Sequence, residues 1–274
     1  MHKQLTCSIV TPSYNQGSFI RATIESVLTQ DYPRIEYRIM DGGSTDNTLA
    51  VIKEYAHDPR LHWVSERDKG QSDAINKGLQ HVSGDIVAYL NSDDIYFPST
   101  LRRVVDYFAA HPTIGMVYGD CHVIDTNGMI IGKFGENIGL VSEKSISSWR
   151  MITQGDCFPQ PATFWRRAVM DRVGLFDTTL HYAMDYDFFV RVALAFPIGY
   201  LAHPLAGYRF HPASKTASQA EKPWQEHMLI SQKYGLRKWM PWYGLRVGRH
   251  HGQRMLPAPI QKLMRTLFRR IEPG

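Results

Sequence analysis

The chain has 274 residues, 43% hydrophobic and 21% charged. That is enough for one large α/β domain or two small ones and excludes a disordered chain. Its net charge of +5 is unevenly placed, with ten Lys/Arg against the single acid Glu272 from Lys233 onward. The remaining body is mildly acidic, which argues against a nucleic-acid binder.

No apolar run approaches the ~18–20 residues that span a bilayer, and residues 1–4 lack the apolar centre of a signal peptide. Cys7, Cys121 and Cys157 are odd in number and widely spaced. They suggest neither a disulfide framework nor a zinc site, and they fit a reducing, cytoplasmic compartment.

In chain order, strand-like runs fall at residues 6–11, 35–41, 62–66 and 85–90. Between them lie three helical patterns. Phe19, Ile20, Ile24, Val27 and Leu28 share one face after a Ser18 cap, and Leu49, Ile52 and Tyr55 do so after Ser44 or Thr45. Ala74, Ile75, Gly78 and Leu79 form a shorter third face. Alternation at about 25–30 residues is the pattern of βαβ units on a parallel sheet.

Past Asp94, residues 98–111 read as a helix with Leu101, Val104, Val105 and Phe108 on one face. "GMVYGDCHVIDTNGMIIGKFG" reads as strand, hairpin and strand, with Asn127-Gly128 signalling a type I′ turn. Residues 136–158 have weak periodicity and read as a mobile segment. A short strand, a helix, a connection and a second helix from about Asp185 follow, and "GYLAHPLAGYRFHPASKT" closes the body.

Ligands of open parallel sheets bind outside the carboxyl ends of the strands. The four runs are followed by "TPSYNQG", "DGGSTDNT", "SERDKGQSDAINKG" and "NSDD". Gly, Asn and Asp are also ordinary turn residues, but four such loops share one edge. Adjacent carboxylates at a strand end suit a hard divalent cation, or cap the next helix. "DGGSTDNT" lacks the Lys of a P-loop and the G-x-G-x-x-G spacing. His250, His251 and Cys157 lack metal-ligand spacing, and Trp63, Trp149 and Trp165 read as packing.

The ordered string "SIVTPSYNQGSFIRATIESVLTQDYPRIEYRIMDGGSTDNT", "DKGQSDAINKGL" and "YLNSDD" resembles the family 2 glycosyltransferases over about residues 5–216. The resemblance implies a GT-A fold, a Rossmann-like, mostly parallel central sheet flanked by helices with an acceptor-side extension. It implies transfer of a sugar from a nucleotide diphosphate-sugar donor, with inversion, using Mn²⁺ or Mg²⁺.

By the same resemblance, Thr11 and Tyr14 line the nucleotide pocket, with Tyr14 stacking on the base. Asp41 hydrogen-bonds the base, Lys69 and Asp73 approach the ribose and diphosphate, and Asn91 approaches a ribose. Asp93 and Asp94 hold the metal, with His211 a metal or phosphate ligand. Asp185 is the catalytic base, and Asp187 orients its helix or an acceptor. Two departures stand out: Asn91 occupies a frequent Asp position, and Met184 replaces the usual Glu before the base.

The expected organisation is residues 1–220 as the catalytic domain, with 1–97 for the donor and 98–220 for the acceptor and catalysis. Residues 221–274 form a basic helical extension. Within it Leu263, Met264, Leu267 and Phe268 make an apolar face beside four cations, suited to the anionic inner face of a membrane or to packing on the body. The resemblance also implies a saccharide or lipid-linked acceptor, in surface polysaccharide or glycolipid synthesis. A nucleotidyltransferase on a similar sheet would want an Arg-rich glycine loop after the first strand. A non-catalytic nucleotide-sugar or polyanion binder would tolerate loss of Asp185.

Overall fold

A computed structural model describes residues 4–134, 158–212, 214 and 222–235. The segment at 136–157, Cys157, Trp149, the paired histidines and the basic stretch from 236 onward lie outside the described residues.

The first half is built as its periodicity dictates. β1 (Cys7–Ser13), α1 (Ile20–Leu28), β2 (Ile35–Asp41), α2 (Thr48–Glu54), β3 (Leu61–Ser65), α3 (Gln71–Leu79) and β4 (Ile86–Tyr89) alternate. The parallel strands lie in the order β3-β2-β1-β4. The chain therefore moves outward from β1 to β3, then returns to the other side of β1. That reversal opens a crevice between the ends of β1 and β4.

The second half changes the hydrogen-bonding sense without starting a new sheet. It comprises β5 (Ile95–Tyr96), α4 (Thr100–Ala110), β6 (Met116–Ile124), β7 (Ile130–Lys133), β8 (Thr163–Arg166), α5 (Ala168–Val173), α6 (Met184–Ala195), β9 (Ile198–Arg209) and α7 (Lys222–Lys233). β4 pairs antiparallel with β8, so the nine-stranded sheet continues as β8-β6-β9-β5, with β7 beside β6. β6 and β9 run parallel, and the other new pairings are antiparallel.

Strand alternation divides the core between the two faces. Cys7, Ile9, Ile86 and Ala88 meet α1, α2 and α4. Val10, Val87 and Tyr89 meet α3 and α6. Gly78 lets α3 approach β1 closely, since a Cβ there would lie 2.5 Å from Val10 Cγ1.

Three local expectations are corrected. Ser18 makes no cap: α1 starts at Ile20, and the Gln16 carbonyl accepts from the Phe19 and Ile20 amides. α2 starts at Thr48, later than Ser44 or Thr45, because Ser44 and Asp46 serve the preceding loops. The β6–β7 turn is not type I′: of Asn127 and Gly128 only Gly128 has a positive φ, +86°. The Asp125 carboxylate accepts from the Asn127 and Met129 amides, and this favours a longer loop with one left-handed glycine.

Candidate active site at the sheet edge

A cavity of about 720 Å³ opens at the carboxyl edge of the parallel strands. Tyr14 enters from the loop after β1, Asp68 from the loop after β3, and Asn91 and Asp93 from the loop after β4. Asp185 from the start of α6 and His227 from α7 complete the wall. The two halves of the chain thus meet at one crevice.

The loop after β1 is fastened to the loop after β2. The Asn15 amide donates to Ser44 Oγ at 2.8 Å, the Gln16 amide to Thr48 Oγ1 at 2.8 Å, and the Gly17 amide to Asp46 Oδ2 at 3.0 Å. Asp41 is the hinge of this arrangement. Its carboxylate, 2% exposed, accepts from the Gly43 and Ser44 amides and from the Ser44 and Ser65 hydroxyls. These bonds leave Tyr14 60% exposed with its ring on the cavity.

At the end of β4 the two adjacent carboxylates part. Asp93 lines the cavity, and its Oδ2 lies 3.1 Å from His211 Nε2. Asp94 turns inward, 1% exposed. It accepts from the Arg209 amide at 2.8 Å and the Asn91 amide group at 3.3 Å. Burial, and then the neighbouring Asp93, push the Asp94 carboxyl well above the usual range. An Asp at 91 would set another carboxyl beside Asp93 and Asp94, whereas Asn91 donates to Asp94.

Asn91 also donates to Gln160 Oε1 at 3.0 Å and accepts from Gln71 at 2.7 Å. Gln160 in turn donates to the Tyr89 carbonyl. The Arg209 guanidinium donates to the Asp93 carbonyl and to the Asp125 and Thr126 carbonyls. The loop is therefore held through the Asn91 side chain by Gln71 and Gln160 and through the Asp93 carbonyl by Arg209.

Among the described residues no cluster of three or more His, Cys, Asp or Glu side chains forms a metal cage. Asp93 and His211 make a two-donor edge of one carboxylate and one imidazole. That set fits a hard cation which keeps its other positions for water and phosphate oxygens.

α6 places Asp185 in the cavity wall, and the Asp185 carboxylate accepts from the Tyr186 amide at 2.9 Å. Asp187 faces the other way and is fully buried. It accepts from Arg191 Nε at 2.8 Å, Lys233 Nζ at 3.0 Å and the Tyr234 hydroxyl at 3.0 Å. Met184, where the resembled family has Glu, is buried with its sulfur 2.6 Å from Ser72 Oγ, a link between α6 and α3. His227 stacks on Tyr186 at 4.6 Å, and burial pushes its imidazole down to about 4. The ring is neutral near pH 7.

The structure brings Tyr14, Asn91, Asp93 and Asp185 together on one cavity, with His211 behind Asp93. Five expected site residues, Thr11, Asp41, Lys69, Asp73 and Asp94, do not line the cavity. The Thr11 side chain is buried in the sheet and accepts from the Tyr37 hydroxyl at 3.0 Å. Asp41 is occupied by its own turn, and Asp94 by Arg209 and Asn91. In the loop after β3, Asp73 accepts from the Lys69 amide, and Asp68, Gly70 and Gln71 line the cavity instead.

Asp68 was reachable from sequence, since it lies in the same polar loop as Lys69. Gln160 and His227 carried no local signal, and only packing brings them to the site. Asp187, expected to orient its helix or an acceptor, is fully engaged within the protein.

Residues 8–215 match the family described as Glycosyl transferase family 2. The chain is 31% identical over 219 residues to an uncharacterized glycosyltransferase of Nostoc sp., covering 78% of this chain and 67% of that protein. It is 35% identical over 127 residues to the Escherichia coli UDP-Glc:alpha-D-GlcNAc-diphosphoundecaprenol beta-1,3-glucosyltransferase WfgD, covering 46% of this chain and 49% of that one. Longer curated relatives are spanned over only 27% to 34% of their length. The fold is similar to that of S. aureus TarS 1-349 in complex with UDP-GlcNAc. The TM-score is 0.72 and the identity 19%, with 95% of this chain and 78% of that one covered.

Proposed function

The chain belongs to glycosyl transferase family 2, and we propose that its cavity binds a uridine diphosphate sugar and passes the sugar, with inversion, to a hydroxyl of a saccharide or lipid-linked acceptor. The observation that carries this reading is the meeting of Asp93 and Asp185 on one cavity although they come from opposite halves of the chain. The uridine donor is supported by the named glucosyltransferase and by the UDP-GlcNAc complex of TarS. The lipid-linked acceptor, and a role in surface polysaccharide or glycolipid assembly, rest on the former.

An acceptor hydroxyl is a poor nucleophile at neutral pH. Asp185 takes its proton as the oxygen attacks the anomeric carbon, a contribution of typically ~10²–10⁴-fold. One displacement with one base inverts the centre, so no second nucleophile is needed. Tyr14 offers its ring to the base of the donor, and the loop around Asn91 sets the floor beneath the ribose. Asp93 and His211 would hold Mn²⁺ or Mg²⁺, which neutralises charge on a departing diphosphate.

Among the described residues no helix is long and apolar enough to cross a membrane. We place the enzyme in the cytoplasm, with the basic tail as the segment that meets the anionic inner surface. The test of the function is incubation with a panel of UDP-sugars and Mn²⁺. Slow release of UDP from one or two of them is expected. No release from any donor, with and without disaccharide or polyprenyl-phosphate acceptors, would overturn the proposal.

A further inference from the structure

We infer that Glu226, on the last described helix, is a positioning residue for Asp185. It rests on the reading of Asp185 as the base. Glu226 lies beyond residues 8–215, over which the family description matches.

The chain enters α6 through His181, Tyr182 and Ala183, the residues just before its first turn, and Ala183 supplies no side-chain cap. The amides of this entering segment need acceptors, and the acceptor comes from α7, more than forty residues onward. One Glu226 oxygen accepts from the His181 amide at 2.8 Å. The other accepts from the Tyr182 amide at 2.7 Å and the Ala183 amide at 2.8 Å. A carboxylate receiving three N–H groups at a helix start is a charge-assisted, dipole-favoured arrangement.

Bonds within the entering segment would hold only its own shape. An acceptor on a distant element also fixes where the segment, and with it the start of α6, lies. α7 grips α6 again just past Asp185, through the Tyr186–His227 stack and the contacts of Lys233 and Tyr234 with Asp187. Ile230 packs with Ala183, Tyr186 and Val190 between these points. Asp185 therefore sits on a short stretch clamped on both sides, and Glu226 is the clamp on the side where the chain enters from the connection after α5. Its bonds set the height and direction at which the carboxylate reaches the cavity.

A misplacement of about 1 Å in a catalytic group can cost ~10²-fold in rate. Glu226→Ala removes all three acceptor contacts. Its kcat for the UDP-sugar that the parent hydrolyses is expected to fall about 10- to 100-fold. KM and the calorimetric Kd for the same donor should stay within about twofold, because the donor wall is built by other loops. Glu226→Gln keeps an acceptor for two amides but turns an NH₂ toward the third, so an intermediate loss of kcat is expected. Arg60→Ala, which removes an ion pair with Asp58 and a bond to the Leu28 carbonyl outside the cavity wall, serves as the control. It should lower the melting temperature while kcat stays within about twofold of the parent.

If Glu226 acts through Asp185, adding Glu226→Ala to Asp185→Asn should slow the enzyme no further. Parent-like kcat in Glu226→Ala, or an additive loss in the double variant, with Asp185→Asn inactive, overturns this inference and leaves the base intact. Near-parental rates in Asp185→Asn overturn the base and this inference together. Should Glu226→Ala fail to fold, the Glu226→Gln series decides: unchanged kcat overturns the inference, and a selective loss of kcat supports it.

Discussion

Two pairs of aspartates frame the cavity, and they are built on one plan with opposite electrostatics. Asp93 and Asp94 end β4, and Asp185 and Asp187 begin α6. In each pair one carboxylate lines the cavity and the other is buried as an anchor. Asp94 is held by a backbone amide and a side-chain amide, with Asp93 beside it, so its carboxyl is pushed up. Asp187 is held by Arg191, Lys233 and a phenol. Two tasks are thus separated at each end: one acid faces the cavity, and its neighbour fixes the peptide that carries it. The anchor beside Asp93 is held by neutral donors and pushed toward its protonated form, whereas the anchor beside Asp185 is compensated by cations.

The sharpest break in this comparison is expected at Asp187. Asp187→Ala leaves a largely buried Arg191 and a half-exposed Lys233 without their shared anion. Urea unfolding should show a loss of about 3 kcal/mol. A loss below about 1 kcal/mol would show that the cations at this anchor reach other partners. Asp185→Asn removes the proton acceptor and keeps the shape of the helix start. Transfer should fall ~10²-fold or more with donor affinity little changed. Rates above about a third of the parent's, a loss far below that of a general base, would move attention away from Asp185.

The two ends should also respond oppositely to acid. His227, beside the base, has its folded value lowered from 6.5 to about 4. The unfolded chain therefore binds more protons between those values, and the stability due to a neutral His227 is present above pH 6.5 and lost as pH falls toward 4. The loss at pH 5 is about 2 kcal/mol, and His227→Gln should remove it from the difference between unfolding curves at pH 7.5 and 5.

At the other end, Asp93→Asn takes an anionic oxygen from the proposed cation edge. Calorimetry with Mn²⁺ should show metal-dependent donor binding weakened by about tenfold, a change near 1.4 kcal/mol. Equal metal dependence in variant and parent would exclude Asp93 as a ligand.

The smallest effect is expected at Asp94. A raised carboxyl costs nothing below its unfolded value, and its cost grows as pH rises through its folded value. Asp94→Asn, which can still accept from the Arg209 amide, should therefore lie within about 1 kcal/mol of the parent at pH 7.5. A loss as large as that of Asp187→Ala would erase the distinction between the anchors.

Much of this arrangement was legible in the residues. The strand-helix alternation placed β1 to β4 within one or two residues, because a buried strand needs an apolar run and an amphipathic helix needs its stripe. It also placed the four polar loops on the edge where the cavity opens, and within them Tyr14, Asn91 and Asp93, which line it. The helix starts were less legible. The residues that cap in isolation, Ser18 and Ser44, were either idle as caps or drawn into loop-to-loop bonds with partners about thirty positions away.

By itself, then, the sequence determined the order of elements, the chemistry of the loops and the presence of acids at β4 and α6, since these depend on neighbours within a turn or a strand. The tertiary structure alone decided which acid of each pair faces the cavity. That choice depends on donors that arrive from afar, Arg209 for Asp94 and Lys233 and Tyr234 for Asp187, and a buried carboxylate goes where such donors are. It also decided that α7 belongs to the site. Nothing within a few residues of Glu226 or His227 marks them, and only the docking of α7 on α6 brings one to the start of the base-bearing helix and the other to the cavity wall.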